Sequence, residues 1–380
     1  MKCDGLKRPR DHSDLTGTRI LIVKPSSLGD VVHTLPLVHA LKRENPTCYI
    51  GWVIQTGLAG IIEADSAVDE IIPISIPSTS DPAATRGDFL RATKATISTL
   101  MRLRKKFRDS PYDLVLDLHA SFRSGLLGLM NPGGARIGFA DAKELNTRFQ
   151  DRLLGPNPLR PHAVDKNLLY ADYFGCPTQP EDFRVVAGTR ARGQVQEFLR
   201  QMRVPSDRKL VYANPASRWL TKYWSVPEWA ELADLLAHEA DATVIFGGSA
   251  DDLTYVAEIV ELTKVPPVIS AGRLNLAGSV ALLEAADVYV GVDSGPMHIA
   301  AFTGTPVVAL FGPTDPAKVG PYGRGHVVIR REDLDCLACR KRFCDHRTCL
   351  EGITAEQVYD AVREILKSVD KDTAEEGALT

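Results

Sequence analysis

The sequence lacks any apolar run approaching the ~20 residues that a membrane-spanning helix needs. Its most apolar stretches, such as Val307-Val308-Ala309-Leu310-Phe311, are far shorter. Lys2, Lys7, Arg8 and Arg10 precede no apolar segment, so the first residues do not read as a secretory signal. A cytoplasmic chain is expected, with peripheral contact at a membrane surface left open. Charge of one sign is not in excess. The 45 Lys and Arg against 48 Asp and Glu leave a formal charge of -3, which gives no support for general nucleic-acid binding. Seven cysteines in 380 residues are too few for a disulfide-stapled scaffold. Two phosphate-binding signatures are also missing: no GxGxxG follows the first strand, and no Gly-Lys-Ser/Thr closes a P-loop. With 44% hydrophobic and 24% charged residues, a disordered chain or a fibre is excluded.

What is present is alternation. Short apolar runs at 19–24, 49–54, 70–74, 114–118 and 136–139 predict strands. Between them, Val31, Leu35, Val38 and Leu41 recur at helical spacing, residues 58–63 read as a short helix, and 89–107 as a long basic one. Residues 75–88 are polar and predict a loop. Residues 151–161 predict a second, long loop, followed by a helix at 162–174 that stops at Gly175. A second series follows, with strands at 210–214, 243–246, 268–269, 288–292 and 307–311. Its helices are expected from 226, at 251–262, at 276–284 and from 295. Alternation of this kind predicts parallel sheets covered on both faces. The division is a leader at 1–16, α/β domains at 17–185 and 186–352, a helix at 353–368 and an acidic, disordered tail at 369–380. In open parallel sheets, ligands sit beyond the carboxyl ends of the strands, so the loops there carry the functional reading.

Four such loops stand out. Lys24-Pro25-Ser26-Ser27-Leu28-Gly29-Asp30, with His33 just beyond, sets a carboxylate at a helix start, where the helix field favours its anionic form. That suits a general base for a hydroxyl, and equally a simple helix cap. Gly29 would let the backbone approach a ligand. The second loop, from Asn214 to Trp224, offers Ser217, Arg218, Thr221 and Lys222 to phosphate oxygens. Gly247-Gly248 and Asp251 form the third, in which the carboxylate either accepts ribose hydroxyls or caps the next helix. In the fourth, Val292-Asp293-Ser294-Gly295-Pro296-Met297-His298 joins a strand to a small-residue helix, whose first N–H groups form an anion site suited to a diphosphate. Thr314, after the next strand, is a further donor beside it.

Cys336, Cys339, Cys344 and Cys349 need a separate account. Their spacing, Cys-x2-Cys-x4-Cys-x4-Cys, fits a structural zinc site, a disulfide-capable excursion or plain thiols in a small lobe.

Taken in order, these pieces resemble the ADP-heptose:lipopolysaccharide heptosyltransferases of glycosyltransferase family 9. The matching segments are Lys24 through Pro36, Lys222-Tyr223-Trp224, Gly247-Gly248, Asp293 through His298, and Phe311-Gly312-Pro313-Thr314-Asp315-Pro316. The resemblance implies a GT-B fold, two Rossmann-like domains facing across a cleft, with a final helix crossing back to the N-terminal domain. It implies inverting, metal-independent transfer of heptose from ADP-heptose to a Kdo or heptose of the lipopolysaccharide inner core. Asp30 would be the base and Lys222 would offset charge on the leaving group. Donor contacts would come from Ser217, Lys222, Gly248, Asp251, Asp293, Ser294, Gly295, His298 and Thr314. Acceptor contacts would come from Ser27, Gly29, His33 and Arg123. A second reading is a family 9 transferase with another nucleotide sugar or acceptor. The basic 75–110 segment is a candidate for facing a membrane surface or acceptor phosphates.

Overall fold

A computed structural model describes residues 14–77 and 85–378, the last ten as backbone alone. Most of the expected leader (1–13) and the middle of the polar loop (78–84) therefore lie outside the described residues. The chain divides into two compact units, Met1–Phe183 and Arg184–Thr380.

The first unit holds a six-stranded sheet: β1 (Arg19–Val23), β2 (Tyr49–Gln55), β3 (Glu70–Ile74), β4 (Leu114–Asp117), β5 (Ala135–Phe139) and β6 (Arg152–Leu154). Their order is β3-β2-β1-β4-β5-β6, and every pairing is parallel. The central strands are buried on both faces. Ile20, Leu21, Ile22 and Val23 are closed to solvent, which is why β1 reads as an unbroken apolar run. The sheet reverses its strand order between β1 and β4, so the loops after those two strands leave adjacent carboxyl ends.

The second unit repeats this plan. Its strands are β7 (Lys209–Asn214), β8 (Ala242–Phe246), β9 (Val268–Ile269), β10 (Val288–Val292), β11 (Val307–Leu310) and β12 (Val327–Ile329), in the order β12-β11-β10-β7-β8-β9. Numbered within its own unit, this is the same arrangement as the first sheet, with the reversal between β7 and β10. Trp224 and Trp229 pack edge to face at 5.1 Å inside its core.

Local chemistry sets the helix ends. His162 Nδ1 accepts the Val164 N–H (3.1 Å) at the start of helix Ala163–Phe174, and Gly175 closes it at φ +65°. Asn275 caps Leu276–Glu284 through the Gly278 N–H (2.8 Å).

Several expectations need correction. The helix expected at 58–63 is a 3₁₀ turn, Thr56–Ile61. The long loop at 151–161 contains β6, and β12 was not expected at all. Both are three-residue strands at sheet edges, too short to stand out as a strand period. The final helix runs Ala355–Ala378, through a tail read as disordered. That tail holds no proline, and extending a formed helix needs no new nucleus. The buried face of the helix, including Val358, Val362 and Ile365, lies in the core of the second unit with Trp224 and Leu236.

Candidate active site

A first cluster forms where the loops after β1 and β4 meet. Lys24, just past β1, is buried, and its Nζ donates to the Leu118 carbonyl (2.9 Å) on the loop after β4. The same ammonium lies 3.4 Å from Asp30 Oδ1. Asp30 Oδ2 accepts from the Ser27 N–H (3.0 Å) and the Ser27 hydroxyl (2.7 Å). Ser27 is the N-cap of helix Leu28–Val32 and Asp30 its third residue, so the carboxylate closes a capping box and faces a cation at once. Burial pushes the Asp30 carboxyl up, but the Lys24 charge and the Ser27 hydrogen bonds outweigh it. The group is held well below the usual carboxylate range. Its side chain is still 43% exposed, so an ionised oxygen remains open to an incoming hydroxyl.

Beside this pair lies His119. Burial and the Lys24 charge lower its pKa, against Asp30, Asp117 and a hydrogen bond to the Ser26 backbone, and favour the neutral ring. Asp117, at the end of β4, holds this loop in place. Its Oδ1 accepts the His119 and Ala120 N–H groups (3.1 and 3.0 Å). Its Oδ2 accepts from Ser124 (2.9 Å), Asn146 (2.7 Å) and Gln150 (3.0 Å).

A second cluster occupies the equivalent place in the second unit. Lys222 Nζ lies 2.6 Å from Asp293 Oδ2, and the two side chains are 14% and 7% exposed. Thr314 donates to the same oxygen (2.6 Å). The Lys222 ammonium also lies 4.8 Å from the centre of the Trp219 ring. Asn214, the last residue of β7, donates to Ser294 Oγ (3.0 Å). Ser294 is the N-cap of helix Gly295–Thr303, and its side chain makes no capping bond there. The first-turn N–H groups and the Ser294 hydroxyl thus stand together at a helix start, beside a buried lysine. Gly248, at φ +145°, holds a conformation closed to other residues. Each cluster therefore carries a lysine–aspartate pair where its sheet reverses.

The pattern of glycosyltransferase family 9 (heptosyltransferase) matches residues 100–349. The lipopolysaccharide heptosyltransferase 1 of Pseudomonas aeruginosa is 30% identical over 356 residues, which is 91% of this chain and 92% of that protein. The chain belongs to glycosyltransferase family 9. A family 9 glycosyltransferase structure from Veillonella parvula superposes with a TM-score of 0.80 at 24% identity, covering 93% of this chain and 98% of that one. E. coli heptosyltransferase WaaC with ADP gives 0.68 at 25% identity, covering 91% and 99%. The family 9 fold is GT-B, with two Rossmann-like domains.

Within this family 9 glycosyltransferase, the structure gathers Ser27 and Asp30 with Lys24, and Lys222, Asp293, Ser294 and Thr314 with one another. Gly295 and His298 sit in the first turns of the helix that Ser294 opens. Gly29 does not form a turn; it is buried within helix Leu28–Val32. His33 is also buried, edge-on to His162 at 5.5 Å. Ser217 Oγ accepts the Trp219 N–H (3.2 Å) and shapes its own loop. Asp251 is exposed, and neither caps nor joins the cluster. Asp252 closes that turn instead, accepting from the Ser249 N–H and hydroxyl (2.7 Å each). Arg123 lies near the start of helix Phe122–Leu129, with Nη1 3.5 Å from the Pro77 carbonyl. Sequence reasoning gave Lys24 no role and passed over His119. The usable signal was the strand order, which alone makes the loop after β4 a neighbour of the loop after β1.

Cys336, Cys339, Cys344 and Cys349 all line one small cavity of about 30 Å³, with His346. They are free thiols. Among the described residues no group of three or more His, Cys, Asp or Glu is placed to hold a metal ion. Cys349 is buried beside Leu350, while Cys336 and Cys339 are exposed.

Proposed function

We propose that this enzyme transfers heptose from ADP-heptose to the inner core of lipopolysaccharide, with inversion, on the cytoplasmic side of the inner membrane. The observation that carries the reading is the near full-length match to a lipopolysaccharide heptosyltransferase 1. The paired charges support it. The acceptor hydroxyl binds at Asp30, whose exposed oxygen accepts the proton as the acceptor oxygen bonds to the anomeric carbon. The bond from that carbon to the diphosphate breaks on the opposite face, which inverts the configuration. Negative charge builds on ADP, where Lys222, Thr314, Ser294 and the helix start at Gly295 supply donors. These donors can fill the part that a divalent cation plays in other transferases. Asp293 holds Lys222 and Thr314 in position until the diphosphate arrives. His33 and Arg123 remain acceptor-side positions; Gly248, Asp251 and His298 remain donor-side ones.

The test is to incubate the protein with ADP-heptose and with Kdo-terminated and heptose-terminated lipid A acceptors, and to follow product mass. A gain of one heptose on one acceptor is expected. No gain on any acceptor, with ADP still bound, would replace this reading with another nucleotide sugar or acceptor.

A further inference from the structure

The helix Arg86–Asp109 concentrates charge that the rest of the molecule does not have. It carries eight Lys and Arg against Asp88 and Asp109, a surplus of six, in a chain whose net charge is -3. Its inner face is buried, with Leu103 and Phe107 packed in a cluster with Tyr112, Val115 and Leu127. Its outer face should then be polar throughout. It is not. Leu90, Ile97 and Met101 are 64%, 51% and 65% exposed, and at 100° per residue they fall on one stripe. Lys94, Lys105 and Arg108 share that stripe. Beside it, an open groove of about 380 Å³ is floored by Leu100 and Met130 and rimmed by Arg104, Lys105 and Arg108.

Exposed large apolar side chains inside a ring of cations match a bilayer interface, where the apolar groups enter the acyl boundary and the ammonium and guanidinium groups meet lipid phosphates. Self-association fits less well. A two-fold contact would bring like charges together, and the acidic residues of the helix stand only at its two ends. We propose that the outer face of helix Arg86–Asp109 docks this enzyme on an anionic lipid bilayer, through Leu90, Ile97 and Met101 and the cations around them. The proposal does not depend on which sugar is transferred.

The test is flotation of the full chain with vesicles of phosphatidylcholine alone and of phosphatidylcholine with phosphatidylglycerol. Binding to the anionic vesicles is expected to exceed binding to neutral ones and to fall as salt rises. Replacing Lys94, Lys105 or Arg108 by Gln lowers it about fivefold each. The combined variant Leu90→Ser, Ile97→Ser, Met101→Ser lowers it at least about tenfold, with an unchanged circular-dichroism melt. Equal binding to both vesicle types, no binding to either, or full binding by the combined variant would each overturn the proposal. So would a concentration-dependent dimer, lost in that variant, without vesicle binding.

Discussion

A carboxylate beside a lysine is ionised at any working pH but is also a weaker base, and Asp30 combines both properties. Asp30→Ala should lower turnover about 10²- to 10⁴-fold while leaving ADP affinity unchanged, as steady-state kinetics and calorimetry would read. Asp30 is held below its ordinary pKa, so its acid form appears only below the normal carboxylate range. The stability its ion pair adds is present above the unfolded-state pKa and is lost as pH falls through the folded one. Lys24→Met removes the main lowering influence, so the acid limb of the kcat/KM profile should move upward; an unmoved limb would sever the link between the two residues. Lys222→Ala should raise KM for the donor and lower turnover, because Asp293 is then left buried without its cation. Asp30, Lys222, Asp293 and Ser294 could be picked from the sequence as candidates because the family resemblance puts a role on each. Lys24 and His119 could not, because their importance comes from a hydrogen bond and a charge that cross from one loop to another.

Elements read most clearly where burial on both faces forced an uninterrupted apolar run, as in β1, β2 and β10. They read poorly where a strand is too short to carry a period, as in β6 and β12, and where turn chemistry turns on a single residue, as with Asp252 in place of Asp251. The final helix shows which contacts matter for stability. Val362 is fully buried against the second unit's core, and Val362→Ala should cost about 2 kcal/mol. Lys367→Ala, which removes a surface pair with Glu364 (2.8 Å), should change stability by less than about 0.5 kcal/mol. Denaturant titration of the two variants side by side would separate a packed helix from a loosely attached one.

At the scale of the whole molecule, one topology is used twice, and each copy carries a lysine–aspartate pair where its sheet reverses. Under the proposed assignment, ADP should protect amides in the loops after β7 and β10 and leave those after β1 and β4 unchanged in hydrogen exchange. It should also raise the melting midpoint, by about 2.7 kcal/mol of stabilisation at a hundredfold excess over Kd. The lysine–aspartate pairs carry one more consequence. Each ammonium is paired with its own carboxylate, which weakens the field that the lysine alone would set. A diphosphate must then enter by exchange, taking over from Asp293 an ammonium that is already neutralised. Under the proposed assignment, simple anions such as chloride or a lone phosphate should gain little from such an exchange, and nucleotide affinity should vary less with ionic strength than a bare lysine would make it.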